Sequence, residues 1–239
     1  MKILAVNTSG FSAAIAFSSD EPPSNATWLC QDLEKDQKAA QYLVPAIHSL
    51  LASQNTEIGE IDLFAVASGP GSFTGLRIGM TTLKTLAYAT SSPITGVNSL
   101  AATAQNACRN QAWGQGKLTV AMNAFRQQVF VATFEHDRFP EQSIQGNSMT
   151  QLIAATDLPE FVDNSGSLLA VAGDGLAGPN LDILDEKIIH RDSEQNVSAI
   201  GVGEIGWRQL NQKMTSDPMT LLPSYFRGSA AEEKLRDRS

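Results

Sequence analysis

A glycine-rich turn between an apolar run and an amphipathic helix is the feature that most constrains the fold of this chain. Ile61 to Ala67 is almost continuously apolar, a pattern typical of a strand that is buried on both faces. The run leads into glycines at positions 69, 71 and 75, and an apolar helical period then continues to Ala87. Strands that alternate with helices in this way predict an α/β architecture.

The turn could bind an anion, because the backbone N–H groups at a helix N-terminus favour negative charge. Gly71 and Ser72 are the candidate residues within it. The turn ends in Gly75-Leu76-Arg77, so it lacks the Gly-Lys-Ser/Thr ending of a phosphate-binding P-loop. A tight turn without a ligand explains the same residues, and both interpretations stay open.

Two glycines four residues apart share one face of the helix that follows. Gly75 and Gly79 each cost about 1 kcal/mol relative to alanine inside a helix, which predicts that another backbone approaches this face closely. The approaching segment could come from this chain or from a partner. We take this helix, with Leu83 on the same face, as the first candidate interface.

The second half of the chain repeats the order of the first. In each half an apolar run ends at an asparagine, Asn7 and Asn123, and a second apolar run follows. We therefore consider a duplication, with lobes at residues 1–108 and 109–239, although chance can supply such an echo. Asparagine is a weaker ligand than a carboxylate for a metal–phosphate complex, and a role in the turn explains both residues.

Composition narrows the functional classes. The 239 residues are 42% hydrophobic and carry a net charge of −8, which disfavours a broad basic surface for nucleic acid. No signal peptide or membrane-length apolar run is evident, so we expect a cytoplasmic protein whose Cys30 and Cys108 are reduced thiols.

The histidines do not form a local zinc motif. Asp174, between two glycines, could contact a ligand or simply form a turn.

The segment from Gly69 to Gly79 resembles the signature of the TsaB (YeaZ) family, within the glycoprotease-like superfamily. The opening residues 3–9, the stretch Leu43-Val44-Pro45, and the segment 223–227 are similar to further marks of that family. The resemblance covers essentially the whole chain.

This resemblance implies two ribonuclease-H-like lobes, as in the actin, sugar kinase and heat-shock protein superfamily. It implies a non-catalytic subunit for threonylcarbamoyladenosine modification of tRNA adenosine 37, which binds and activates TsaD and helps to recruit the ATPase TsaE. It implies no cofactor, no metal, only indirect contact with tRNA, and homodimers when TsaD is absent. Two helices, residues 36–53 and 74–90, would form the interface, with the contact residues Leu43, Ile47, Leu50, Gly75, Gly79 and Leu83.

The chain also departs from the family pattern. Asn7 stands where the family usually has Asp, Asn123 lies in a stretch that is usually charged, and Ala39 replaces a usual His. These changes put nucleotide binding in doubt at the candidate residues Asn7, Thr8, Gly71, Ser72, Asn123 and Asp174. The alternatives are a small kinase or ATPase of the same superfamily, a peptidase, and a diverged paralogue without the tRNA role.

Overall fold

The computed structural model describes residues 1–10, 12–20, 28–33, 39–109, 113–172, 186–191 and 199–226. The strands in these ranges are β1 (Ile3–Asn7), β2 (Ala14–Ser18), β3 (Leu29–Asp32), β4 (Leu63–Gly69), β5 (Ile94–Asn98), β6 (Lys117–Asn123), β7 (Gln128–Glu135), β8 (Gln151–Ala154), β9 (Leu168–Ala172) and β10 (Ile188–Arg191). The helices are α1 (Ala39–Ser53), α2 (Phe73–Thr90), α3 (Ser99–Arg109), α4 (Phe139–Gln142), α5 (Gly146–Met149), α6 (Leu158–Ser165) and α7 (Ala199–Asn211).

Two five-stranded sheets share one topology. The first sheet has the order β3-β2-β1-β4-β5, and the second has the equivalent order β8-β7-β6-β9-β10. In each sheet the first strand of that half pairs antiparallel with the next strand and parallel with a later one. The α/β class and the structural duplication predicted from the sequence are therefore confirmed.

The elements stack into five layers because each sheet is apolar on both faces. Leu4 and Val6 of β1 point to a core under α1 and α2, whereas Ile3 and Ala5 point to a central core. The central core contains α3 and α7 and reaches Val120 on the second sheet. The opposite face of the second sheet is covered by α6. Both halves of the chain therefore contribute to one central core.

Helix α7 lies close to the first sheet because small residues face it. A Cβ on Gly206 would lie 2.7 Å from the Ala65 Cβ and 2.9 Å from the Thr95 Oγ1. A Cβ on Gly203 would clash with the ring of Trp28. The last described helix of the chain thus covers the sheet that forms from the first hundred residues. The boundary predicted after residue 108 falls in the last turn of α3 and stays a prediction.

A buried polar network joins α3 and α7 in the central layer. The Glu204 carboxylate accepts a hydrogen bond from the Gln105 amide at 2.6 Å and pairs with Arg109 at 2.9 Å. Arg208 donates to the Gln105 amide oxygen at 2.7 Å. Burial raises the pKa of Glu204, and the charge of Arg109 opposes that shift. Because buried polar groups need specific partners, the network favours one register between the two helices.

One expected helix is a strand. The sequence predicts a short helix near residues 149–155, but the structure has β8 there, paired with β7 at the edge of the second sheet. Short apolar runs do not distinguish a helix from a strand by periodicity. Helix α1 continues through Pro45, and residues 36–38 of the predicted helix lie outside the described residues.

Each of the described helices is too short or too polar to cross a bilayer.

We predict that Gly206→Ala lowers the free energy of unfolding by up to about 2 kcal/mol. Overpacking costs about 1–3 kcal/mol, and the gain in helix propensity of about 1 kcal/mol offsets part of that cost. Urea denaturation would measure the change. The matched control is Gly59→Ala, because a Cβ at Gly59 has no neighbour within 4 Å and should change stability by less than about 0.5 kcal/mol. Equal effects of both substitutions would contradict the close approach of α7.

Candidate functional site

The glycine-rich turn, residues 68–75, is held on one side by the turn that joins β1 to β2. Thr8 donates its hydroxyl to the Gly75 carbonyl at 2.7 Å, and the Ser72 N–H donates to the Ser9 carbonyl at 2.7 Å. Ser72 caps α2 by accepting the Gly75 N–H at 3.2 Å. The start of α2 and the end of β1 are therefore joined by direct hydrogen bonds.

The glycines of the turn make this approach possible. A Cβ on Gly71 or Gly75 would clash with the backbone of Ser9 or Thr8, and a Cβ on Gly79 would clash with the Thr8 hydroxyl. Gly71 also has a φ of +152°, a conformation that side chains rarely adopt. The close backbone expected over Gly75 and Gly79 belongs to this chain.

The same turn is held on its other side by the C-terminal segment. The Ser224 N–H donates to the Ser68 carbonyl at 2.7 Å, and a Cβ on Gly69 would clash with the Ser224 carbonyl. The Asn147 amide, from the second half of the chain, donates to the Ser224 hydroxyl at 3.0 Å. The glycine-rich turn is thus clamped between β1–β2 and a segment near residue 224.

An arginine stacked on two aromatic rings covers the start of α2. The guanidinium carbon of Arg77 lies 3.9 Å from the ring centre of Phe73 and 5.8 Å from that of Tyr225. Arg77 Nε donates to the Tyr225 hydroxyl at 2.9 Å, and the two ring centres are 4.8 Å apart. Cation–π contacts of this kind are favourable even at exposed sites.

The two asparagines occupy equivalent positions at the ends of β1 and β6. Asn7 Oδ1 accepts the Ser9 N–H at 3.0 Å, and Asn123 Oδ1 accepts the Phe125 N–H at 2.7 Å. Both therefore make the local hydrogen bond of a turn residue, as one sequence interpretation predicts. Asn7 is fully buried, and its Nδ2 has no hydrogen-bond partner among the residues that the structure describes.

The structure brings some of the predicted anion-binding residues together. Asn7, Thr8, Gly71 and Ser72 lie at the junction between β1 and α2, where Asn7, Gly71 and Ser72 contact Ser9 and Thr8 contacts Gly75 and Gly79. Asn123 lies on the second sheet, and Asp174 lies outside the described residues. Anion binding at these residues stays a prediction.

The six predicted partner contacts stay a prediction, and the structure shows where each of them lies in the isolated chain. Four of them are buried in the core between the first sheet and its outer helices: Leu43, Ile47, Leu50 and Leu83. Gly75 and Gly79 pack against Thr8, as described above. Burial of the apolar helix faces against the sheet explains these positions, and among the six residues only Gly75 is partly exposed in the isolated chain. The spacing identified the buried faces of α1 and α2 rather than the exposed ones.

The outward face of these two helices has a different character. It exposes large apolar side chains at Tyr42, Val44, Phe73 and Tyr88. Neither α1 nor α2 contains Asp or Glu, although the chain has 25 acidic residues. The two basic residues of α2, Arg77 and Lys84, contact the C-terminal segment. The pair of helices therefore presents a carboxylate-free surface on an acidic protein, in which these apolar side chains lie among polar ones such as Gln41, Ser49 and Thr81.

Other candidate chemistry is weaker. Burial raises the pKa of the half-buried Cys108 thiol to about 11, so this thiol is protonated near neutral pH. Cys30 lies exposed on the edge strand β3. In the described part of the chain, no group of three His, Cys, Asp or Glu side chains is placed to hold a metal ion.

The sequence of this chain is similar to a known protein family and to several named proteins. The family described as "TsaD: tRNA N6-adenosine threonylcarbamoyltransferase" matches residues 35–170. A protein of Bacillus subtilis named tRNA threonylcarbamoyladenosine biosynthesis protein TsaB is 26% identical over 98% of this chain and 97% of its own length. Its namesake in Escherichia coli is 27% identical over 98% of both chains.

Solved structures show the same fold. A Pseudomonas aeruginosa protein described as similar to peptidase YEAZ superposes with a TM-score of 0.72 at 22% identity, covering 95% of this chain and 99% of its own. A structure of YeaZ from Pseudomonas aeruginosa superposes with a TM-score of 0.69 at 21% identity, covering 94% and 99%. At this identity the likeness establishes the fold alone.

We predict that Gly79→Ala destabilises the isolated chain by about 1–3 kcal/mol, because the new methyl group would overlap the Thr8 hydroxyl. In a Thr8→Ala background the same substitution should cost at least about 1 kcal/mol less, since the overlapping atoms are gone. A double-mutant cycle by chemical denaturation measures this coupling. An equal cost in both backgrounds would show that Thr8 is not the reason for glycine at this position.

Proposed function

Because this chain belongs to the TsaB (YeaZ) family, we propose that it is a non-catalytic subunit in tRNA threonylcarbamoyladenosine biosynthesis. In this proposal it binds and activates a TsaD-type catalytic subunit, helps to recruit a TsaE-type ATPase, and forms homodimers in their absence. It acts in the cytoplasm and meets tRNA only through its partners. The observation that carries the proposal is the carboxylate-free surface of α1 and α2.

The composition of this surface supports a protein partner. The cores of protein interfaces are poor in charged residues and rich in aromatic ones. Tyr42 and Val44 on α1 and Phe73 and Tyr88 on α2 fit that description, and α1 and α2 contact each other along the surface. A net charge of −8 over the whole chain makes the lack of carboxylates on these helices more notable.

The turns at the ends of β1 and β6 support a non-catalytic role. A kinase-like or ATPase-like site would place carboxylates where Asn7 and Asn123 stand, so that a magnesium–phosphate complex could be held. Here both amide oxygens accept backbone N–H groups of their own turns. The backbone of Ser9 also fills the space beside Gly71, where a phosphate could otherwise approach the glycine-rich turn.

The direct test mixes the purified chain with the TsaD-type subunit of the same organism. Size-exclusion chromatography with light scattering should show a defined heteromer at micromolar concentration. The TsaE-type ATPase should join only when both other proteins are present. If no heteromer forms, the proposed function is wrong. Tight binding and turnover of Mg-ATP by the isolated chain would favour an enzyme instead.

We predict that Val44→Glu weakens the heteromer at least about tenfold, because it places a buried, unpaired charge in an apolar interface. Val44 is 55% exposed in the isolated chain, so its folding should change little. The matched control is Phe125→Glu, which adds the same charge at an exposed apolar residue of the β6–β7 turn. Titration by calorimetry would measure both. Equal affinities for the two variants would place the interface elsewhere.

A further inference from the structure

The segment after α7 wraps around the edge of the first sheet without forming a helix or strand. We call residues 214–226 the strap. Its Ser216 N–H donates to the Ile94 carbonyl of the edge strand β5 at 2.8 Å. Lys84 of α2 donates to the Leu221 carbonyl at 2.7 Å, and the Leu221 side chain packs on the core below α2. The strap therefore passes from the central layer to the outer layer of the molecule.

The last three residues of the strap contact four different elements of the molecule. Ser224 bonds to Ser68 at the end of β4 and to Asn147 on α5 of the second half. Tyr225 contacts Arg77 and Phe73 at the start of α2. Phe226 packs with its ring centre 6.4 Å from that of Phe130 on β7.

A further contact between the two halves lies beside this point. Asn98 at the end of β5 donates to Asn147 Oδ1 and to the Thr150 hydroxyl, both at 3.0 Å. A Cβ on Gly146 would lie 2.8 Å from the Asn98 Cβ, so α5 approaches the first sheet closely here. Asn147 thus touches both the first sheet and Ser224, and it links the strap to the end of β5.

We propose that residues 224–226 are a latch that opens and closes without unfolding the protein, and that its closure couples the glycine-rich turn to the second half of the chain. Local opening is drawn from segments with few buried apolar contacts and exposed hydrogen bonds. The strap fits this description, because Met219, Leu222 and Tyr225 are largely exposed and the segment lacks regular secondary structure.

The latch also bears on the proposed partner surface. Phe73 stacks on Tyr225 and is itself one of the exposed apolar residues of α2. A partner that contacts both Phe73 and Tyr225 in their stacked arrangement would favour the closed latch, and a closed latch would favour that partner to the same degree. This coupling rests on the proposed function, whereas the latch itself is a property of the isolated chain.

Hydrogen–deuterium exchange of the intact isolated chain tests the latch. Tyr225→Ala removes the contact between the latch and α2. Arg77→Ala weakens that contact, because it removes the hydrogen bond and the cation–π stacking and leaves the ring contact of Tyr225 with Phe73. We predict that each raises exchange roughly 5- to 30-fold in residues 219–226 and in residues 66–76, the change expected from a lost favourable contact. The matched control, Leu222→Ala, removes a highly exposed side chain of the strap and should leave both segments as in the wild type.

Two results would overturn the proposal. One is faster exchange in residues 219–226 while residues 66–76 keep the wild-type rate, because the latch would then be uncoupled from the glycine-rich turn. The other is no change in either segment. If an alanine variant exchanges faster in every segment, including β6, its effect is not confined to the latch. The experiment then uses Tyr225→Phe, because this substitution removes only the hydroxyl. A smaller rise in the same two segments then supports the latch, and no rise contradicts it.

The coupling between the latch and the partner is measured in a separate experiment. Binding of the TsaD-type subunit should slow exchange in residues 219–226, and Tyr225→Ala should lower its affinity several-fold. Unchanged exchange on binding would refute the coupling. If no complex forms, the proposed function fails, while exchange in the isolated chain still decides the latch.

Discussion

The contact between the β1–β2 turn and the first turns of α2 determines how the rest of the first sheet is covered. Thr8 and Ser9 reach the backbone of α2 only because Gly71, Gly75 and Gly79 lack side chains. With α2 held at this distance, Leu83 and Met80 fill the core above Leu4 and Val6. The outer face of α2 is then set by helical geometry, and it carries Phe73, Arg77 and Tyr88.

The sequence predicted the secondary structure of this region correctly, but it did not predict which residues contact each other there. The strand, the turn and the helix over residues 61–90 followed from local patterns that depend on neighbouring residues. The residue that packs against Gly75 and Gly79 could not be predicted from such local patterns, because Thr8 lies 67 residues away from Gly75 in the chain. Helical spacing identifies residues that share a face, but it does not tell whether that face meets the sheet or a partner.

Two elements of the second half were missed. Helix α6 lies within residues 137–167, which the sequence indicated to be rich in loops, although its signals are local: Pro159 lies in its first turn and Gly166 forms a left-handed C-terminal cap. Strand β8 has only four residues and depends on pairing with β7, which local sequence does not encode. The contact of Arg77 with Tyr225 joins two segments that the sequence marked separately, and only the fold brings them together.

The surface of α1 and α2 and the latch at residues 224–226 are parts of one arrangement. Phe73 belongs to both, and Arg77 connects them through its stacking on Phe73 and Tyr225. A carboxylate-free surface on an acidic chain is suited to a specific protein partner, because charges elsewhere keep the molecule in solution. The strap adds a way for the second half of the chain to influence that surface.

The position of α7 has a consequence for how the chain is made. This helix closes the inner face of a sheet built from β1 to β5, yet it ends at residue 211. During synthesis, Ile3, Ala5 and Ala65 must therefore wait until residue 211 has left the ribosome before α7 covers them. Nascent chains that expose such surface are prone to aggregation and chaperone binding. The apolar face of the first sheet thus depends for its protection on a helix that is made long after the sheet itself.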